Sequence, residues 1–138
     1  MNTCRFCNID NFKTRTIKAF KHSRVIFSNP HYMPCHLLII PKRHVEKISE
    51  LNDEERKELM VVIAEYTDKI LKIFPAYSIH HNYMPMLEDS QTKVNHLHVH
   101  IWPRSKNDEL YEKSMKHQDL LFTSLTEEEI EKYSELLK

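Results

Sequence analysis

Three histidines stand at alternate positions in Asn95-His96-Leu97-His98-Val99-His100-Ile101-Trp102-Pro103-Arg104, separated by apolar residues. In a strand, successive side chains point to opposite faces, so His96, His98 and His100 share one face while Leu97, Val99 and Ile101 share the opposite, buried one. Imidazole changes charge near neutral pH and can act as a nucleophile, a proton carrier or a metal ligand. The row therefore suits a polar sheet face, a catalytic zinc site of His-x-His plus a third ligand, or a nucleophilic histidine with histidine neighbours. At about 3.4 Å per residue, His96 and His100 are roughly 13–14 Å apart along a strand. At most two adjacent imidazoles can then share one ion, and the remainder face a groove.

A second group is Cys4-x-x-Cys7, with Cys35 alone elsewhere. An odd number of cysteines makes a poor disulfide framework and suits a reducing compartment, with metal or redox chemistry at the pair. Two thiolates at this spacing can grip one zinc, and tetrahedral closure needs two further ligands, typically His. The chain has no glycine among its 138 residues. That excludes the glycine-rich phosphate loops in which backbone amides approach the ligand, so any phosphate must be held by side chains.

The remaining composition narrows the partners. Lys+Arg 20 balances Asp+Glu 20, which argues against a field-driven nucleic-acid or membrane binder and favours a small-molecule partner. The N-terminus, Met1 to Cys7, has no apolar leader core, and no apolar run is long enough to span a bilayer. These features predict a cytoplasmic chain, and the length predicts one domain over residues 1–138.

The elements that must position the histidines are predicted as follows. Thr16 to Phe20 and Arg24 to Ser28 read as a strand pair turning at Lys21-His22, and His36 to Ile40 is apolar enough for the centre of a sheet. Asn52 with Glu55 is a capping box that opens a long helix, with Leu59, Val62, Ile63, Tyr66, Ile70 and Ile73 on one face and Glu58, Glu65 and Lys69 away from it. Pro75 stops that helix, Ala76 to His81 and Val94 to Trp102 read as strands, and Thr126-x-x-Glu129 caps a short helix with Ile130, Tyr133 and Leu137 inward. The order predicts an α+β fold: a mainly antiparallel sheet of about five strands, one long helix and one short C-terminal helix.

The segment His96 to Arg104 resembles the signature of the histidine triad (HIT) superfamily of nucleotide hydrolases and transferases. Pro34-Cys35-His36-Leu37-Leu38-Ile39-Ile40-Pro41-Lys42-Arg43-His44 and Cys4-Arg5-Phe6-Cys7 resemble two further blocks of that family. The resemblance implies a HIT-like fold, a homodimer, and a covalent nucleotidyl-histidine on His98, the middle histidine. His36 and His100 would contact the same phosphate, and Gln91, or Thr92 in its place, would stand near the leaving group. Ser28 or Asn29 would contact the ribose, Ile26 and Phe27 would be candidates for the base wall, and Asn82 is a weaker site candidate. Cys4, Cys7, His44 and His96 would hold one structural zinc per chain. Cys35 and Ser90 stand where relatives usually carry Gly, so this site should depart from the family around His36 and Gln91.

The implied substrates are dinucleoside polyphosphates or nucleoside phosphoramidates. Two other readings compete: a zinc-dependent hydrolase using the His-x-His pair, and a nucleotide-binding module without turnover. His22 and His31 are expected in solvated turns, and Cys35 as an inert buried thiol.

Overall fold

The structure is a computed structural model and describes residues 4–138; Met1 to Thr3, part of the stretch read as leaderless, lie outside the described residues. The described residues divide into two compact units, one ending at residue 106 and the other spanning 107–138.

The first unit is one five-stranded sheet, antiparallel throughout: β1 (Thr16–Ala19), β2 (Ser23–Phe27), β3 (Leu37–Pro41), β4 (Ala76–His80) and β5 (Val99–Arg104), in the order β1-β2-β3-β5-β4. The long helix α1 (Asp53–Leu71) follows β3, and the Asn52 side chain accepts from the Glu55 N–H while Glu55 accepts from the Asn52 N–H. This reciprocal pair satisfies two helix-end donors that would otherwise lack partners.

β3 is buried along its whole length because both of its faces are covered. Leu37 and Ile39 join Leu59, Val62, Tyr66 and Ile70 of α1 in one core cluster. Leu38 and Ile40 point the other way, to Phe12, Ile26 and the partly buried Phe6. Each fully buried aliphatic side chain contributes about 1.5–3 kcal/mol, so this central strand fixes the layer on which the histidines stand.

The structure departs from five expectations. The last strand begins at Val99 rather than Val94, because the Leu97 N–H donates to the Val45 carbonyl at 2.6 Å and carries residues 94–98 out of the β3 ladder. Ile73 lies past the end of α1 and is 71% exposed. Glu58 faces inward, accepting from the His22 N–H and the Ser23 hydroxyl, and His22 also meets Glu54, so His22 is tied to α1 rather than solvated. In the second unit, α2 (Glu127–Leu136) is capped by Thr126 as expected, but Ile130, Tyr133 and Leu137 are exposed rather than inward. A segment of this size is too short to bury a core of its own.

The missing glycines leave a local cost beside the site. Cys35, directly before the buried His36, has φ 65°, the left-handed region in which a Cβ crowds the backbone. We expect Cys35→Gly to leave stability unchanged or raise it by up to roughly 1 kcal/mol, and Cys35→Val to lower it by about 1–2 kcal/mol, as read from urea unfolding midpoints.

Candidate active site and metal centre

Although residues 94–98 leave the ladder, the inward–outward alternation persists: Leu97, Val99 and Ile101 are buried in the core shared with α1. The three triad imidazoles do not meet at one point. His96, only 1% exposed, turns toward the N-terminal cysteines, whereas His98 and His100 line a cleft of about 320 Å³.

The His96 environment forms a four-donor cluster. Its Nδ1 lies 3.3 Å from Cys4 Sγ and 3.5 Å from Cys7 Sγ, and His44 Nδ1 lies 3.3 Å from Cys7 Sγ. All four donor atoms fall within 4.8 Å of one another. A tetrahedral zinc with bonds of about 2.0–2.3 Å has donor–donor edges of about 3.3–3.8 Å; the contacts at 3.3 and 3.5 Å match those edges, so the donor types and spacing of Cys4, Cys7, His44 and His96 suit that ion. Two further interactions orient the donors. His96 Nε2–H donates to the Pro41 carbonyl at 2.8 Å, which leaves Nδ1 as the lone-pair nitrogen facing the thiols. Arg43, next to His44, holds the buried Glu55 of α1 at 2.7 and 3.1 Å and donates to the Glu50 carbonyl. Burial pushes the Cys4 thiol up to about 11, with the Phe6 backbone hydrogen bond opposing it, so a thiolate there needs a cation beside it.

In the cleft, His98 Nδ1–H donates to the His96 carbonyl at 2.6 Å. Its Nε2 therefore carries the lone pair. Burial lowers the His98 pKa, which keeps the ring neutral. The Phe6 ring packs edge-on at 5.1 Å, and the His100 ring at 5.0 Å.

His36 is buried and has more neighbours than a neutral ring can accept from. The Tyr32 N–H points at Nδ1 at 3.1 Å, and Nε2 lies 2.8 Å from His100 Nδ1 and 3.1 Å from Trp102 Nε1. The Tyr32 N–H and the Trp102 Nε1–H are both fixed donors, so each ring nitrogen of His36 faces a donor. His36 Nε2 and His100 Nδ1 share one ring proton across their 2.8 Å contact. Burial, reinforced by neighbouring histidines, holds His36 at about 4 and His100 at about 3.

Of the other sequence candidates, Ser28, Asn29, Gln91 and Thr92 line the cleft with His36, His98 and His100. Ile26, Phe27 and Asn82 are not among the lining residues: Ile26 is fully buried in the second core cluster, Phe27 is 45% exposed, and Asn82 follows the end of β4. His31 is exposed, as expected of a turn residue, yet it lines the cleft. Cys35 is half-buried rather than buried as expected, and its partial burial raises the thiol pKa. Sequence reasoning missed Arg5, Arg15 and Tyr32 as cleft residues, and His80, whose ring stacks on Trp102 at 4.8 Å. Arg5 lay in plain view inside the Cys-x-x-Cys, but spacing does not reveal where that side chain points.

A five-stranded antiparallel sheet whose histidine row divides between a Cys2His2 cluster and an open cleft defines a histidine-triad fold. The chain belongs to the HIT domain family, whose model matches residues 10–107. The bis(5'-nucleosyl)-tetraphosphatase (asymmetrical) of Schizosaccharomyces pombe is 29% identical over 118 residues, 86% of this chain and 58% of that protein, so the chain spans less than two thirds of that relative. A solved HIT-family structure from Bacillus subtilis superposes with TM-score 0.71 at 22% identity, over 99% of this chain and 95% of that one. A zinc-bound histidine triad family protein from Mycobacterium smegmatis gives TM-score 0.66 at 21% identity, over 78% of this chain and 79% of that one. At such identities these two likenesses concern the fold. Among the described residues no helix is long and apolar enough to cross a membrane.

Two outcomes are expected. Protein purified without added metal should carry close to one zinc per chain, and stripping it should lower Tm by several degrees; a stoichiometry far below one contradicts the cluster's fit. The second concerns acid. An unfolded histidine titrates near 6.5 while folded His36 titrates at about 4, so the unfolded chain binds more protons between those values. Stability should be complete above pH 6.5 and fall on acidification, by on the order of 3 kcal/mol from His36 alone at pH 4. Urea titrations across this range should show a shallower slope for His36→Asn.

Proposed function

We propose that the protein is a nucleotide hydrolase or nucleotidyl transferase that cleaves at the α-phosphate of a dinucleoside polyphosphate or nucleoside phosphoramidate. The observation that carries this reading is the 2.6 Å bond from His98 Nδ1–H to the His96 carbonyl, which leaves a lone pair on Nε2 of a cleft-lining ring. His98 Nε2 attacks the α-phosphorus, a P–N bond forms, and the leaving group departs with the bonding electron pair. Water then attacks phosphorus, the P–N bond breaks, and a nucleoside monophosphate is released as His98 regains its lone pair. His100 and His36, joined by their 2.8 Å bond, stabilise charge on the phosphoryl oxygens. Gln91 or Thr92 donates to the leaving group, and Ser28 or Asn29 holds the ribose.

The zinc in this proposal is structural. Four protein donors close a tetrahedral ion, whereas a catalytic zinc keeps one position open for water or substrate, which counts against the zinc-hydrolase alternative. When bound, the ion holds the N-terminal segment against His44 and His96. A homodimer belongs to the same reading, supported by the exposed Tyr77 and Ile79 on edge strand β4.

The test is a quench experiment with nucleotide substrate labelled at the α-phosphate. Wild type should retain acid-labile label on His98, and His98→Ala should retain none and lose turnover by at least about 10³-fold. Label that persists in His98→Ala would falsify the assignment, and nucleotide binding without turnover in wild type would select the binding-module alternative.

A further inference from the structure

Two arginines in the cleft have no part in the mechanism above. Arg5 Nη1 donates to the Ser90 and Gln91 carbonyls, both at 3.0 Å. Arg15 donates to the Phe27 carbonyl at 2.7 Å and the Asn11 carbonyl at 3.2 Å. Backbone carbonyls aim both guanidinium groups without neutralising them, and among the described residues neither arginine is paired with a carboxylate. The cleft lining itself contains no Asp or Glu. A guanidinium has five N–H donors, and the carbonyls occupy two on each side chain, so three on each remain for a ligand.

The two charges also sense each other. Burial, and then the Arg5 charge, lower the Arg15 pKa. Two like charges held near one another in a partly buried cleft are unfavourable without an anion between them, and planar guanidinium forks match the oxygens of a phosphate. The α-phosphate is already served by His36, His98 and His100. Arg5 instead adjoins the loop carrying Gln91, while Arg15 is anchored at Phe27, beside Ser28 and Asn29.

We propose that Arg5 and Arg15 form a second phosphate-binding subsite, which takes a phosphoryl group other than the one His98 attacks. The assignment rests on the cleft being the nucleotide site. That phosphoryl group has two sources: the distal phosphates of the substrate, or free orthophosphate. In the second case an orthophosphate oxygen attacks the α-phosphorus of nucleotidyl-His98, the P–N bond breaks with its electron pair returning to Nε2, and a nucleoside diphosphate forms in place of the monophosphate.

The test uses the full chain and two probes, inorganic tripolyphosphate and orthophosphate, titrated separately by calorimetry. At least one probe should bind wild type, with affinity reduced roughly tenfold or more in both Arg5→Gln and Arg15→Gln and largely retained in Arg5→Lys and Arg15→Lys. Tripolyphosphate binding at least about tenfold tighter assigns the subsite to distal phosphates. Comparable affinities, with nucleoside diphosphate formed in phosphate buffer, assign it to free phosphate. Absence of binding, or binding undiminished in both glutamine variants, overturns the proposal. If those variants misfold, phenylglyoxal labelling of wild type decides: tripolyphosphate should slow modification of Arg5 and Arg15 relative to Arg24, and no protection again overturns it. The calorimetric and labelling readouts that decide whether the subsite exists need no turnover, so loss of the His98 reading in the quench experiment is distinguishable from loss of this one.

Discussion

A neutral imidazole carries one proton, and the geometry around the buried histidines depends on where each proton must go. Burial keeps His36, His96, His98 and His100 from charging near neutral pH, because moving a cation out of water is costly. Every ring is then one donor and one acceptor. The Pro41 carbonyl takes the His96 proton on Nε2, and the His96 carbonyl takes the His98 proton on Nδ1. Two histidines two residues apart thus present opposite nitrogens, one toward thiols and one toward a cleft.

That division requires a backbone that is rigid on one side and free to bend on the other. β3 provides the rigid side, since both of its faces are packed and it pairs with β2 and β5. The bend arises where residues 94–98 leave the ladder and Leu97 bonds to Val45. In a continuous flat strand His96 and His98 would point the same way; here His96 is drawn to Cys4 and Cys7. Arg43 and Glu55 tie the segment that carries His44 to α1, so the helix cap and that segment share one carboxylate.

Much of this was legible in the chain. The alternation of His96 to Ile101, the apolar run ending at Ile40 and the capping boxes at Asn52 and Thr126 each rest on local rules; the alternation persists although the strand begins only at Val99, and the others correspond to β3, α1 and α2. What was not legible depends on tertiary partners. Nothing in Val94-Asn95-His96 marks the departure from the ladder, because the bond that causes it comes from Val45. Ile26 carries the same apolar signal whether it lines a cleft or fills a core, and packing against Phe12 decided for the core. The C-terminal helix has amphipathic spacing, but periodicity does not say what covers an apolar face. The glycine count proved informative at Cys35, which occupies a left-handed position that glycine fills at less cost.

The central claim is that carbonyl acceptors set the histidine tautomers so that His98 offers Nε2. Long-range ¹⁵N–¹H correlation of the histidine rings in the zinc-loaded protein at pH 7 tests it directly. The account predicts His98 as the neutral Nδ1–H tautomer with an unprotonated Nε2, and His96 with its proton on Nε2. A His98 ring found as the Nε2–H tautomer, or as an imidazolium at that pH, would contradict it.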